Sequence, residues 1–210
     1  MNQKSSAVMA SVIVPYNLDR GYLAECKRSI LGQVTQHSFE LILAKGDGSV
    51  GYNFNAGLKK AKGRYIKIIA EDDSLTPNCI EDLVNGIQAQ QVDWVCANAV
   101  NFYLDGNEVE FHSEPQSLTD ALGKYKIHGL TTLYRRSVLV AIGGMDESLT
   151  TGEEFDMHLK LLRSGHNLGY VDAVVGRHRI WTGNKSTGNR DPMARAERAA
   201  YIENIRNRYR

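Results

Sequence analysis

Three consecutive carboxylates, Glu71-Asp72-Asp73, are the side chains of this sequence best suited to chemistry. This acidic triplet follows the apolar segment 65–70, whose β-branched residues predict a strand, and precedes a turn into a helix at Pro77. Neighbouring carboxylates repel one another unless a cation offsets their charge, and a hard divalent ion that also holds a diphosphate would do so. The alternative interpretation is an acidic turn that only caps the next helix.

The composition narrows the functional class. The 210 residues are 42% apolar with a formal charge of +1, which is typical of an ordinary soluble globular domain and lacks the basic excess of a nucleic-acid-binding protein. Cys26, Cys79 and Cys96 form no C-x-x-C pair and predict reduced thiols in a cytoplasmic protein. No apolar run reaches the ~20 residues of a membrane span, so no transmembrane segment is predicted, while peripheral membrane contact stays open.

Strands alternate with helices in the first half of the chain. This order predicts an α/β fold with a mostly parallel central sheet flanked by helices. Right-handed crossovers would bring the loops after the first three strands to one edge of the sheet, so Tyr16-Asn17, Asp47 and the acidic triplet should converge on one crevice. The predicted strands are 11–14, 39–44, 65–70 and 94–98, and the predicted helices are about 22–34, 55–62 and 77–91.

The second half is less regular. Asp105-Gly106 indicates a hairpin, and Phe155, Leu159 and Leu162 share one face of a predicted helix. The remaining predicted elements are strands at 130–134 and 169–175, helices at 136–142 and 153–163, and a C-terminal helix within 190–210.

An ordered set of motifs runs along the chain from about residue 10 to residue 185. The motifs are Ser11-Val12-Ile13-Val14-Pro15-Tyr16-Asn17, Gly46-Asp47-Gly48-Ser49, Asn55-Ala56-Gly57, Ala61-Lys62-Gly63-Arg64-Tyr65-Ile66, the acidic triplet, Gly143-Gly144-Met145-Asp146-Glu147 and Gly152-Glu153-Glu154-Phe155-Asp156. This ordered set closely resembles the family 2 glycosyltransferases of the GT-A (Rossmann-like) fold. The resemblance implies a single domain over 1–210, with a nucleotide-binding half at about 10–100 and an acceptor and catalytic half at about 101–185.

The resemblance also implies an activity and donor-binding residues. The activity would be transfer of one sugar, with inversion, from a nucleotide-diphosphate sugar (a UDP-sugar as first choice) to a glycan or other hydroxyl acceptor. Pro15 and Tyr16 would lie against the nucleoside, Asp47 would accept a hydrogen bond from the base, and Asp72 would contact the ribose side. The full donor-binding set is Pro15, Tyr16, Asn17, Asp47, Asn55 and Asp72.

Two further roles follow from the same resemblance. Asp73 would ligate Mn²⁺ or Mg²⁺, with His178 as a second ligand, and Glu154 would be the catalytic base that takes the acceptor proton. Other interpretations stay open: first-turn acids also complement a helix dipole, and a lone histidine is usually a surface or core residue. The cations Arg177, Arg179 and Lys185 could instead bind phosphate.

The sequence departs from the family pattern at two positions. Gly46 replaces the first of two acids that many relatives carry, and Glu153-Glu154 replaces a common Glu-Asp. The Gln-x-x-Arg-Trp signature of processive synthases is absent, which favours single-sugar transfer. Two other functions are a nucleotide-sugar-binding module impaired by the change at Glu154 and a sugar-nucleotidyltransferase, which would need a glycine-rich basic loop after the first strand.

Overall fold

The computed structural model describes residues 7–184 and 191–210, and these residues build one eight-stranded sheet with helices on both faces. The strands are β1 (Ala10–Tyr16), β2 (Phe39–Lys45), β3 (Tyr65–Ile68), β4 (Ser74–Leu75), β5 (Trp94–Tyr103), β6 (Glu108–Phe111), β7 (Leu133–Arg135) and β8 (Leu168–Ile180). The helices are α1 (Leu23–Leu31), α2 (Val50–Lys60), α3 (Cys79–Gln90), α4 (Leu118–Gly123), α5 (Arg136–Ala141), α6 (Glu153–Arg163) and α7 (Pro192–Asn207). A short 3-10 turn covers Gly129–Thr131.

The predicted α/β fold is confirmed, and the sheet is mixed. Its order is β2-β1-β3-β7-β5-β8-β4, with β6 paired to the outer part of β5. β1 is parallel to β2 and β3, and β5 is parallel to β8. β7 is antiparallel to both neighbours, and β4 and β6 are also antiparallel to theirs. Parallel pairs need a crossover connection, which α1 and α2 supply, whereas β7 is entered from the short Gly129–Thr131 turn.

Several element boundaries differ from the sequence prediction. α2 begins at Val50 rather than at 55, because the Ser49 side chain caps it by accepting a hydrogen bond from the Tyr52 amide. Ser74 and Leu75 form β4 against β8, where a turn was predicted. Pro77 precedes α3 and is not its first residue.

β5 and β8 lengthen each other. They were predicted to end at 98 and 175 but reach Tyr103 and Ile180, because residues 99–103 pair in register with residues 176–180. This pairing places His178 and Arg179 beside the acidic triplet, since Asp73 accepts a hydrogen bond from the Arg179 amide.

The core lies on both faces of the sheet. Trp94, Tyr65 and Tyr134 are the largest fully buried side chains. The three cysteines are buried and unpaired, as predicted. Within residues 7–184 and 191–210, no helix has the length and apolar character needed to cross a bilayer.

Candidate active site

A cleft of about 660 Å³ opens at the carboxyl ends of β1 and β3. The acidic triplet lines the cleft together with Pro15 and Tyr16 of β1, Asn17 after it, and Gly48 and Ser49 after β2, so the loops converge as predicted. Asp47 lies in the same loop as Gly48, but its side chain is exposed and does not line the cleft. The Gly129–Thr131 turn and the first residues of α6 complete the lining.

Asn53 on α2 holds the loops after β1 and β2 together. Its side-chain nitrogen donates to the carbonyls of Tyr16 and Gly46, at 3.2 and 3.0 Å. Gly46 also donates its amide to the Tyr16 carbonyl at 3.1 Å. A Cβ at position 46 would fall 3.2 Å from Asn53 Cγ and nearer still to Oδ1. Asn53 therefore explains why glycine, and not an acid, occupies position 46.

Each carboxylate of the acidic triplet has its own partner. Glu71 pairs with the Arg20 guanidinium. Burial, with the neighbouring Asp72, raises the pKa of Glu71, and burial, with Asp73, raises the pKa of Asp72. Protein groups thus offset part of the repulsion between the carboxylates, which the sequence analysis expected a bound cation to offset.

The end of β8 encloses Asp72. Its Oδ2 accepts hydrogen bonds from the Trp181 indole at 2.8 Å and from the Asn184 amide at 3.1 Å. Trp181 packs edge-on against Tyr22 at 5.4 Å between ring centroids. Trp181 and Asn184 also line the cleft, so the loop after β8 both orients Asp72 and shapes this part of the cleft.

Asp73 and His178 lie together at the cleft. Asp73 Oδ1 is 2.9 Å from His178 Nδ1 and accepts the Arg179 amide at 3.0 Å. A carboxylate oxygen and an imidazole nitrogen are suitable ligands for Mn²⁺, and Mg²⁺ is commonly held by one or two carboxylates plus phosphate oxygens. The described residues hold no cluster of three or more His, Cys, Asp or Glu side chains able to bind a metal. Asp73 and His178 thus supply two ligands of types that fit a divalent ion, the remainder of whose coordination would come from outside the protein.

The neighbouring arginines do not line the cleft. The Arg179 guanidinium is buried, bonded to Glu25 and to the Asp72 carbonyl, and stacked on Tyr22 at 4.3 Å. Arg177 pairs with Glu108. Both side chains already pair with carboxylates of the protein, which argues against their use as phosphate-binding cations. Lys185, the third predicted cation, lies outside the described residues.

Asn55 is not in the cleft. It is buried, and its amide nitrogen donates to the Met145 carbonyl and to Glu147 Oε1, both at 2.9 Å. Its oxygen accepts the Met145 amide at 3.0 Å. The expected donor contact is therefore replaced by a structural role, in which Asn55 fixes the loop before α6.

Glu154 is the second residue of α6 and lines the same cleft as the acidic triplet. Its carboxylate rests on the backbone of Gly129: a Cβ there would lie 2.5 Å from Glu154 Cδ and 2.8 Å from Oε1. Burial raises the pKa of Glu154 to about 7, the Lys67 ammonium opposes this rise, and Glu153 and Asp73 add to it. A carboxylate with such a pKa can exchange a proton near neutral pH.

A buried polar chain holds α6 against the sheet. His158, one turn after Glu154, lies 2.5 Å from the Tyr134 hydroxyl, contacts the Tyr125 hydroxyl with its other nitrogen, and stacks on Trp94 at 4.8 Å between centroids. Burial lowers the pKa of His158 to about 3, so the ring is neutral. This anchoring fixes the start of the helix that carries Glu154.

Sequence reasoning missed five residues that the site depends on. Among them, Lys67 alone gave a signal in the sequence: it lies within an apolar strand, and a buried charge needs partners. The others gave no local signal, since their partners are distant in the chain. The five are Asn53, Lys67, Gly129, Trp181 and Arg198, the last reaching the cleft from α7.

Comparisons with known proteins agree with this geometry. A model of the family described as "Glycosyl transferase family 2" matches residues 44–145, which run from the end of β2 to the loop before α6. A Rickettsia typhi protein named as an uncharacterized glycosyltransferase is 25% identical over 196 residues. The match covers 78% of this chain and 61% of that relative. Glycosyltransferase GlyG of Streptococcus pneumoniae is 31% identical over 128 residues, covering 47% of this chain and 42% of its own.

Solved structures share the fold. The crystal structure of S. aureus TarS 1–349 in complex with UDP-GlcNAc superposes with a TM-score of 0.67 at 17% identity. The superposition covers 84% of this chain and 60% of the TarS chain. The same protein in complex with UDP gives a TM-score of 0.65 at 16% identity, over 83% of this chain and 61% of that one.

Proposed function

The chain belongs to glycosyl transferase family 2 and has the GT-A fold, and from this premise we propose that it transfers one sugar from a nucleotide-diphosphate sugar to an acceptor hydroxyl with inversion. The observation that carries the proposal is one cleft lined by Asp73, His178 and Glu154. An inverting displacement requires groups that stabilise the leaving diphosphate and a base that takes the acceptor proton, and these three side chains are of the right types.

The proposed donor is a UDP-sugar. TarS, which shares the fold, binds UDP-GlcNAc and UDP in its crystal structures, so UDP-GlcNAc is the first donor to test. Pro15, Tyr16 and Asn17 would contact the nucleoside, and Asp72, oriented by Trp181, would contact the ribose side. Asp47 would pair with the base from the exposed edge of its loop.

The transfer divides between the base and the groups that hold the diphosphate. Glu154 Oε accepts the proton of the acceptor hydroxyl while that oxygen bonds to the anomeric carbon. The bond from this carbon to the diphosphate breaks, and the nucleoside diphosphate leaves with the electron pair. Attack opposite the leaving group inverts the configuration. Asp73 and His178 would hold Mn²⁺ or Mg²⁺, which neutralises charge on the diphosphate as a Lewis acid.

We propose that the acceptor binds beside residues of the second half of the chain. Residues of about 101–185 supply Glu154 and the Gly129–Thr131 turn, whereas residues of about 10–100, together with His178, Trp181 and Asn184 from the end of the second half, supply the proposed donor side. Arg198 adds a cation to the cleft from α7. The buried, unpaired thiols support a cytoplasmic location for the reaction.

The test uses Glu154→Gln, with Glu153→Gln as the matched neighbour. Purified protein is given UDP-GlcNAc, Mn²⁺ and a panel of simple glycoside acceptors, and released UDP is measured. Loss of a general base costs about 10²–10⁴-fold in rate, so Glu154→Gln should lose that factor while donor binding persists. Glu153→Gln should lose much less, since adjacent side chains on a helix point about 100° apart. NMR of the product anomeric proton reports inversion.

The outcomes separate the competing functions. Donor binding without turnover in the wild type would support a nucleotide-sugar-binding module. Equal rates for wild type and Glu154→Gln would remove Glu154 as the base. Pyrophosphate release from UTP and a sugar phosphate would indicate a nucleotidyltransferase, although the loop after β1 lacks the glycine-rich sequence for that reaction.

A further inference from the structure

One strand of the central sheet carries a fully buried lysine near the cleft. Lys67 occupies the middle of β3 and is fully buried. Its ammonium donates to the carbonyl of Ile68 at 2.9 Å and to the carbonyl of Leu130. A buried lysine is costly, and burial lowers the pKa of Lys67. The nearby Glu154 and Asp73 carboxylates and the hydrogen bonds to two carbonyl oxygens oppose this fall and favour the charged form.

The Leu130 carbonyl belongs to the Gly129–Thr131 turn. This turn lies between the cleft and the core. Bonds within it run from Thr131 to the His128 carbonyl and from Thr132 to the Gly129 carbonyl, and the Thr131 hydroxyl also lies 3.2 Å from the Ser113 hydroxyl. The Lys67 ammonium joins the turn to β3, the strand that leads to the acidic triplet.

The same turn supports Glu154. The Glu154 carboxylate lies against Gly129 so closely that a methyl group there would overlap it. The charged groups that act on Glu154 come from four elements: Lys67 from β3, Glu153 from α6, Asp73 after β3 and His178 from β8. Of these, Lys67 is the one that most favours the ionised carboxylate.

We propose that Lys67 is a positioning residue for Glu154: it fixes the turn on which the carboxylate rests and, as a cation, keeps that carboxylate ready to accept a proton. This inference rests on the proposed role of Glu154 as the base. It assigns a use to a buried cation that does not line the cleft.

Lys67→Met tests the proposal, with Lys60→Met on the exposed end of α2 as the matched control. Methionine keeps the length of the side chain and removes the charge and the tie to Leu130. The rate should fall on the acidic side of its pH profile, because Glu154 stays protonated to higher pH. We expect the acidic limb of the pH–rate profile to shift to higher pH by about one pH unit. Turnover at pH 6 should then fall about tenfold, with the donor Kd within twofold. Lys60→Met should match wild type.

The thermal stability of the variants distinguishes a positioning role of Lys67 from general damage to the fold. Methionine removes the cost of burying a charge but leaves the Leu130 carbonyl without its donor, so the two effects oppose each other and we expect the melting temperature of Lys67→Met to stay close to that of wild type. Lys67→Gln is the second variant, because its amide can still donate to Leu130 without a charge. It should move the limb as Lys67→Met does while keeping a higher plateau rate, and it carries the test if Lys67→Met fails to fold. An unmoved limb in the folded variants, or a donor Kd that weakens in parallel with the rate, would overturn the proposal.

A titration independent of activity distinguishes failure of this inference from failure of the proposed function. The carboxyl ¹³C resonance of Glu154, assigned by its loss in Glu154→Gln, is followed against pH in wild type and in Lys67→Met. A higher midpoint in Lys67→Met supports the coupling even if no donor is turned over, in which case only the proposed function fails. An unchanged midpoint overturns the role of the cation.

Discussion

Gly129→Ala should disable the site while leaving the fold intact. The Cβ of alanine would lie 2.5 Å from Glu154 Cδ, where ordinary contacts begin at 3.4 Å. The carboxylate must therefore retreat by about 1 Å, and a misplacement of that size can cost about 10²-fold in rate. Glu154 can move because its carboxylate is the end of a flexible side chain, so the strain is not forced onto the backbone.

Stability should change little in the same variant. Gly129 has no positive φ, so alanine is conformationally allowed, and loss of glycine freedom in the unfolded chain contributes about 0.4–1 kcal/mol in favour of folding. Thermal unfolding should thus show a melting temperature close to, or slightly above, that of wild type. Gly123→Ala is the matched control, because a Cβ at that position has no heavy atom within 4 Å.

The assay measures kcat and the donor KM for both variants with UDP-GlcNAc. We expect Gly129→Ala to lower kcat about 100-fold with a KM within threefold, and Gly123→Ala to match wild type. Turnover of Gly129→Ala within threefold of wild type, in a protein where Glu154→Gln is inactive, would refute the reasoning. The carboxylate would then reach the acceptor from a different position than the one beside Gly129.

Three other outcomes are expected. Asp73→Asn should abolish the Mn²⁺-dependent rise in melting temperature that UDP-GlcNAc produces, whereas an undiminished rise would exclude Asp73 as a metal ligand. Asp47→Ala should weaken UDP binding about ten- to a hundredfold in calorimetry, from loss of a charge-assisted hydrogen bond worth roughly 1.5–3 kcal/mol, and a twofold change would count against it. Turnover should rise with pH through about 7, since the pKa of Glu154 is raised to about 7 and the base works deprotonated; a flat profile from pH 5.5 to 8 would contradict this.

The sequence predicted that Tyr16 and the acidic triplet meet at one cleft because one rule governs their placement. Loops at the carboxyl ends of neighbouring parallel strands meet at one edge, so Tyr16 and the acidic triplet could be placed together without knowing any contact. The position of His178 could not be predicted from this rule, because it depends on β8 continuing past residue 175. That continuation requires the pairing of His178 with Asn101, 77 positions earlier, which no local pattern contains.

Asn53 and Asn55 show where periodicity stops being informative. Two residues apart on α2, their side chains point about 200° apart, so only one of them can face the cleft. The motif drew attention to Asn55, but it is Asn53 that contacts the loops after β1 and β2, while Asn55 holds Met145. The rotation of a helix against its sheet is decided by packing, and a single sequence does not fix it.

The contact between Gly46 and Asn53 constrains the order in which this site could have evolved. An acid at position 46 would overlap the Asn53 amide, whereas glycine at 46 is compatible with either a large or a small neighbour. An acid can therefore enter position 46 without strain only after, or together with, a smaller residue at position 53. Introduced alone, it would displace the Asn53 side chain and weaken the hydrogen bonds that join the loops after β1 and β2.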